Sequence, residues 1–594
     1  MGKTEFYLVS SLEKVFPCKR PEPMKNTTLS VWAGMRGAVQ LVLHGSEKDK
    51  GSLWHSYRIS VKGAPVPAEL YKVELLPSDF PSWEAAAEDE NYLTHEPGLF
   101  PDLLMPLEDG LIRPIPRQYR SVWISFPVTE ETLPGTYEVT IEARPEGAGN
   151  AGNGAQQAEA DGCQESGKQE TAADGRERET SERAADDCAE SARLSFFLRV
   201  GNVKPDKQEM IHTEWFHGDC LADYYHVEPL SEAHWAIMER FIRQAGRRHG
   251  VNMLLTPVFT PPLDTEVGGE RPTVQLVGVT VTKGKYSFDF SALARWTAIC
   301  RENGIEYLEI AHLFTQWGAR ATPKIIACID GENRRIFGWD IPADSPKYRE
   351  FLECFLPALQ TELQKLGYDR EHVYFHISDE PSEENKSSYL TAKKQAADLL
   401  SGYPVIDALS SFSLYRTGIV ERPIPSNDHI QPFIDAQVPD LWVYYCCSQG
   451  IDVPNRFYAM PSARNRIMGV LMYLYQIKGF LHWGYNFYFT QYSRKSADPY
   501  RMTHSDYAFP SGDSYLVYPG EGGEPLTSVR AEVQNEALAD IRILNALEKR
   551  KGRGEVEKII YGEETEPFTF KKYPHSAEYL LSLREKLFDA LENG

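Results

Sequence analysis

The sequence predicts a multidomain chain of β and α/β character: an N-terminal antiparallel β-sandwich followed by a (β/α)8 TIM-type barrel. Three observations predict it. Residues 4–144 carry only short strand-like runs bounded by Gly, Pro or Asp. From about Lys204 onward, strand-like and helix-like runs alternate. The strands expected in that second half are near-continuously apolar, as strands covered on both faces must be. With 594 residues the chain also exceeds the size at which single cores stop growing.

In the first part, LSVWAGMRGAVQLVLHG, SYRISVKG, RSVWISFPV and GTYEVTIEA are rich in Val, Ile, Tyr and Trp, and no helical period interrupts them. They place a sandwich domain over residues 1–203. Inside it, residues 145–192 shift to Gly, Ala, Glu, Gln, Asp and Arg with almost no large apolar side chain. Such a segment buries too little surface to offset its ordering entropy, so a disordered acidic insertion is expected there. A formal GxGxxG at Gly147, Gly149 and Gly152 is rejected as a dinucleotide fingerprint because no amphipathic helix follows it. RLSFFLRVG, from Arg193, then resumes the sandwich.

The barrel is expected over residues 204–550. Ile211 to Phe216 reads as its first strand, and Ser231 to Gly250 as a helix with a Ser N-cap and a closing Gly. VNMLLTPVF, IEYLEIAHLF, VYFHIS and YPVIDALS follow as strands two to five, with helices such as SPKYREFLECFLPALQTELQKLG between them. LWVYYCC, MGVLMYLYQ and GFLHWGYNFYF complete the series as six to eight. A count of seven or eight over about 300 residues favours a barrel over an open sheet. Residues 551–594 read as a C-terminal helical extension, and TSVRAEVQNEALADIRILNALEKR before it suits the last barrel helix.

A net charge of −22 and a pI near 5.2 exclude a general affinity for nucleic acid or anionic membrane, both of which need basic patches. The 31 Tyr, 27 Phe and 11 Trp are mostly core material, although aromatic faces also stack on sugars. Nine cysteines form no CxxC or zinc-finger framework, which favours a reducing compartment. The first residues, MGKTEFYLVSSLEKVFPCKRP, lack the apolar region of a signal peptide, and no long apolar run occurs. A soluble, cytoplasmic protein is expected.

Candidate chemistry concentrates in EHVYFHISDEP, Glu371 to Pro381, an apolar strand that ends in two adjacent carboxylates. Strand alternation puts Tyr374, His376, Ser378 and Glu380 on one face, toward the barrel axis, and Val373, Phe375, Ile377 and Asp379 on the other. Glu380 thus points at the pocket, and Asp379 reaches it only if the chain twists out of strand geometry before Pro381. Mutual repulsion and burial hold one of two such acids protonated, as a general acid requires. The same spacing also suits capping of a helix starting near PSEEN. Other expected strand ends carry Trp215 and His217, Asp264, then His312, Gln316 and Trp317, then Asp407, Tyr444 and Tyr445, and finally Trp483, Tyr485 and Asn486. So many polar and aromatic groups at one rim suit a carbohydrate pocket. His217, Asp219 and Cys220 have no recognised metal-site spacing, and neither GxSxG nor GxxxxGK[ST] occurs, so no metal and no cofactor is expected.

TEWFHGDCLADYY, LTPVFTPPLDT, AHLFTQWGA, FHISDEP, LWVYYCC, NRFYAMPSARNR, GFLHWGYNFY and GDSYLVYPG resemble domain of unknown function 4091, the catalytic-domain relatives of glycoside hydrolase family 123. The resemblance runs from about Glu214 to Asp540. It implies a β-N-acetylhexosaminidase acting on a glycan with retention by substrate-assisted catalysis, N-acetylgalactosamine being the first sugar to consider. It implies Glu380 as general acid and base, and Asp379 as the group that orients the 2-acetamido nucleophile. It also implies sugar contacts at Trp483, Tyr485 and Tyr445. The residues alone leave two other readings: a glycosidase pairing Glu380 with Glu309 or Asp407 as nucleophile, and a non-catalytic carbohydrate-binding protein.

Overall fold

A computed structural model describes residues 4–45, 56–146 and 191–593. The Gly147, Gly149 and Gly152 motif and nearly all of the expected insertion lie outside the described residues.

The N-terminal part is an antiparallel β-rich region of two five-stranded sheets. In one, Glu5–Ser10, Met35–His44, Tyr119–Val128, Glu69–Ser78 and Gly98–Pro106 neighbour one another in that order. In the other, Gly135–Glu146 pairs antiparallel with Ala192–Val200, and Thr28–Val31 joins as a parallel edge strand. Strand alternation sends Val39, Leu41, Val122, Ile124, Val139, Ile141, Phe196 and Leu198 into one shared core.

The second part is α/β. Six parallel strands form one sheet: Ile211–Glu214 (first), Met253–Thr256 (second), Tyr307–Ile310 (third), Val373–Tyr374 (fourth), Trp442–Tyr444 (seventh) and Gly479–His482 (eighth). The order across it is fourth, third, second, first, eighth, seventh. Ile406–Ala408 (fifth) and Arg422–Ile424 (sixth) form a separate parallel pair. A parallel bridge from Phe375 to Val405 and another from Ser426 to Tyr444 link that pair to the two ends of the sheet.

Side chains from the two faces of these strands enter different cores. Ile211, Met253, Leu255, Tyr374, Ile406, Ile424, Trp442 and Leu481 pack against one another. Leu254, Leu308, Val373, Phe375 and Ile377 pack against helices. The helix Glu232–Arg243 obeys its sequence signals: Ser231 accepts from the His234 amide at its start, and Gly250 takes a left-handed φ of 66° after the π-helical turn Gln244–Arg248 that continues it.

Two expected elements differ. MGVLMYLYQ, the anticipated seventh strand, lies almost wholly in the helix Ser462–Leu474, whose Gly469 meets the backbone of Ala537 on the neighbouring helix Val529–Lys551. A helix buried on all sides is as uniformly apolar as a buried strand, so the pattern could not separate them. The strand that takes its place in the count, Arg422–Ile424, contains Pro423 and carries no strand signal.

A four-stranded sheet of Gly278–Thr282, Lys285–Asp289, Ile325–Ile329 and Glu332–Phe337 is inserted after the second and third strands. At the C-terminus, Ala577–Glu592 packs onto the N-terminal sheets, with the Phe588 ring 5.0 Å from Trp32 and the Arg199 guanidinium 4.0 Å above it.

Candidate active site

The acidic pair sits where regular strand geometry fails. Hydrogen bonding as a strand ends at Tyr374, but the third-strand loop keeps hold of the chain beyond it: Leu313 and Phe314 amides donate to the carbonyls of His376 and Ile377, and the Trp317 amide to that of Asp379. Glu380 then adopts a left-handed φ of 45°. This conformation is costly for a residue with a Cβ and breaks the alternation, so Asp379 and Glu380 both line one cavity. The next helix begins at Lys386, and neither carboxylate caps it.

The cavity is a solvent-open cleft whose empty space, open solvent included, is about 670 Å³. Trp215, Leu481 and Ala408 form part of its lining, as do Trp483, Phe509 and Trp317. His217, Asp264, Gln316, Tyr444, Cys446 and Cys447 supply polar groups. The N-terminal region buttresses the wall from outside, the Trp83 indole donating to the Cys447 carbonyl at 2.6 Å.

The two acids differ in their surroundings. Tyr444 donates its phenol to Glu380 Oε1 at 2.7 Å. The Asp379 carboxylate has no protein hydrogen-bond partner among the described residues. Burial, then the charge of Glu380, pushes Asp379 well above the ordinary carboxylate range, with His376 acting in the opposite direction. Burial raises Glu380 too, and the Tyr444 hydrogen bond opposes that rise. Such a pair titrates as a unit and keeps a proton at pH values where lone carboxyls have lost theirs.

A fully buried charged layer precedes the pair on the same strand. His376 Nε2 meets Glu309 Oε1 at 2.6 Å and Nδ1 meets Asp407 Oδ1 at 3.3 Å. Glu309 also accepts from the Trp215 indole at 2.7 Å, and Asp407 from the Tyr389 phenol. Glu309 and Asp407 therefore have their oxygens committed to the interior, and neither lines the cavity.

Of the residues expected at the rim, Trp215, His217, Asp264, Gln316, Trp317, Tyr444 and Trp483 line the cavity with Asp379 and Glu380, and Asp407 and four others do not. His312 is fully buried, stacked on His376 at 4.1 Å. Tyr445, one residue past the seventh strand, points the other way, against Phe480 and His482, and it is Tyr444 that faces the acids. Tyr485 is buried against His249. Asn486 lies behind the wall and clamps the backbone of His217, accepting from its amide at 2.9 Å and donating to its carbonyl at 3.0 Å.

His217, Asp219 and Cys220 come together, but Arg271 fills the place a cation would take. Its guanidinium donates to both Asp219 oxygens at 2.6 and 2.8 Å and to His217 Nδ1 at 3.1 Å. The sequence signals nothing of Arg271, Tyr389 or Phe509, which lie in loops and on a helix far along the chain from their partners.

Residues 215–547 match the family model described as Glycoside hydrolase 123, catalytic domain. The fold is similar to that of a family 123 glycoside hydrolase from Clostridium perfringens studied for glycolipid glycan hydrolysis, with a TM-score of 0.68 and 13% identity over 100% of this chain and 98% of that one. A putative β-galactosidase from Bacteroides fragilis aligns with a TM-score of 0.29 and 7% identity, over 89% of this chain and 61% of that one. Comparison with curated proteins finds no match. With the family model covering more than half its length and the acidic pair at the end of its fourth strand, the chain belongs to glycoside hydrolase family 123.

Proposed function

We propose that the protein removes terminal β-linked N-acetylhexosamine, N-acetylgalactosamine first among candidates, with retention and substrate-assisted catalysis, in a (β/α)8 barrel. The bridges from Phe375 to Val405 and from Ser426 to Tyr444 support closure of the eight strands into that barrel. The observation that carries the reaction is the asymmetry of the adjacent acids: Glu380 is fixed by Tyr444, whereas the Asp379 carboxylate has no protein partner among the described residues.

In this reading the acetamido N–H of the substrate donates to Asp379, which favours its ionised form. The shared proton then resides on Glu380, which gives it to the leaving oxygen as the acetamido oxygen attacks C1 and the glycosidic bond breaks. Glu380, now a carboxylate, takes a proton from the water that opens the resulting oxazoline. Trp215, Trp483 and Phe509 supply aromatic surface for the sugar ring. The withdrawal of Glu309 and Asp407 into ion pairs with His376 supports a nucleophile that comes from the substrate.

The test is a panel of nitrophenyl β-glycosides with and without a 2-acetamido group, together with binding of an N-acetylhexosamine thiazoline. Turnover confined to acetamido sugars and tight thiazoline binding are expected. Equal or faster turnover of plain galactosides or glucosides would sink the substrate-assisted reading.

A further inference from the structure

The catalytic cavity holds a third carboxylate that the reaction above does not use. Asp264 follows the second strand and has a left-handed φ of 39°. Two neighbouring loops hold it in that conformation. Its amide donates to Gln316 Oε1 from the third-strand loop, and its carbonyl accepts from Ser493 Oγ at 2.7 Å. Its Oδ2 accepts from the Tyr492 amide at 3.1 Å, also from the loop after the eighth strand. Strain that is over-determined in this way marks a side chain whose position matters. Oδ1 has no protein partner among the described residues, and Asp264 lines the cavity with Asp379 and Glu380.

No lysine or arginine is among the described residues that line this cavity. Its one histidine is neutral on hydrogen-bond geometry alone: His217 Nδ1 accepts from Arg271, so Nε2 carries the proton it gives to the Trp483 carbonyl at 2.9 Å. The charges behind the lining are compensated. Arg271 is paired with Asp219, and His376 lies between Glu309 and Asp407. Arg494, on the loop that clamps Asp264, is paired with Glu266. The wall facing the ligand therefore offers acids, neutral donors and aromatic faces, with nothing to offset a negative charge.

Resting on the glycosidase reading of this cavity, we infer that the sugar ring held against Asp379 and Glu380 is an uncharged pyranose whose hydroxyls donate to Asp264. Rings bearing a sulfate, phosphate or carboxylate are excluded. A carboxylate with one oxygen anchored and one free accepts from a hydroxyl strongly, and a like charge brought to a desolvated carboxylate is repelled.

The experiment compares an aryl β-N-acetylgalactosaminide with its 4-sulfate and 6-sulfate on the wild-type enzyme. A kcat/KM lower by about 100-fold or more is expected for both sulfates. Asp264→Asn keeps an acceptor for the Tyr492 amide. It should raise KM for the neutral substrate by about 10-fold while narrowing the discrimination against the sulfates by a similar factor. Equal turnover of neutral and sulfated substrates by the wild type would overturn the inference whether or not the variant folds. So would an Asp264→Asn enzyme with unchanged KM and a kcat lower by about 100-fold or more, the signature of a nucleophile. If plain galactosides prove to be the substrates, the acetamido mechanism falls, and galactoside against galactoside 6-sulfate still reads the charge discrimination by itself.

Discussion

His376 Nε2 lies 2.6 Å from Glu309 Oε1, with Asp407 on the other side of the ring, in a fully buried layer that leads directly to the acidic pair. Burial opposes a charge on this imidazole, but hydrogen bonds to Asp407 and Glu309 outweigh it and raise its pKa to about 9. Burial raises Asp407 as well. His376 is nonetheless the charged partner, since it faces two carboxylates and Asp407 faces one cation. Its stabilising contribution is therefore complete below the unfolded value near 6.5 and is lost as pH rises through about 9. Urea unfolding of the wild type should weaken by about 3 kcal/mol across that window. His376→Gln should abolish most of that pH dependence, and should lower kcat by about 10-fold or more because Asp379 loses its cationic neighbour. A variant with the wild-type slope would place the charge elsewhere.

Glu380→Gln removes the only proton that the proposed reaction hands to the leaving group. On substrates with poor leaving groups kcat should fall by about 100-fold or more, and far less on nitrophenyl glycosides, whose leaving groups need little protonation. Thiazoline affinity should persist. Because burial raises both acids, the alkaline limb of the wild-type pH profile should lie above the ordinary carboxylate range, and this limb should vanish in the variant.

Tyr444→Phe leaves Glu380 in place and removes the phenol that stabilises its charge at 2.7 Å. The hydrogen bond lowers the Glu380 pKa, so its loss must raise it. The alkaline limb of kcat/KM should move upward by about one unit, with kcat lower by about 10-fold. Tyr445→Phe, changed at the next residue, whose ring is turned the other way, should leave the limb unmoved. A shift in the second variant and none in the first would reverse the assignment of these neighbours.

That pair shows how far the sequence could be read. Alternation applied to VYFHISDE correctly put His376 inward and Phe375 and Ile377 against helices. The same rule applied to LWVYYCC separates Tyr444 from Tyr445, because Trp442, Tyr444 and Cys446 share a face. Asp379 was beyond the rule, since its place depends on the left-handed turn at Glu380, which is set by the third-strand loop and not by local residues. Arg271 and Tyr389 were invisible for a related reason: a buried ion pair or phenol contact carries no periodicity. His312, Tyr485 and Asn486 were misplaced because a polar residue at a strand end serves equally to brace the wall from behind, as Asn486 braces His217. The exchange of Ser462–Leu474 for Arg422–Ile424 in the strand count follows from complete burial of the first and Pro423 in the second.

The first and eighth strands are tied to the helix Val529–Lys551 by a second buried charge cluster. Arg456 donates to both oxygens of Glu214, at 2.7 and 3.1 Å, and to Gln534 Oε1 at 2.7 Å, and Gln534 donates back to Glu214 at 2.7 Å. Burial alone would raise the Glu214 pKa, but Arg456, His212 and His482 hold it far below the ordinary range. Its contribution is thus present above the unfolded value near 4.5 and is lost as pH falls below it. Arg456→Met strands a carboxylate with no exposed surface and should cost about 3–5 kcal/mol in chemical denaturation. Adding Glu214→Gln to that variant removes the uncompensated charge and should recover at least about half of the loss, because the penalty belongs to the orphaned ion more than to the missing contact. A double variant no more stable than Arg456→Met would show that the guanidinium acts through Gln534 and the helix, not through Glu214.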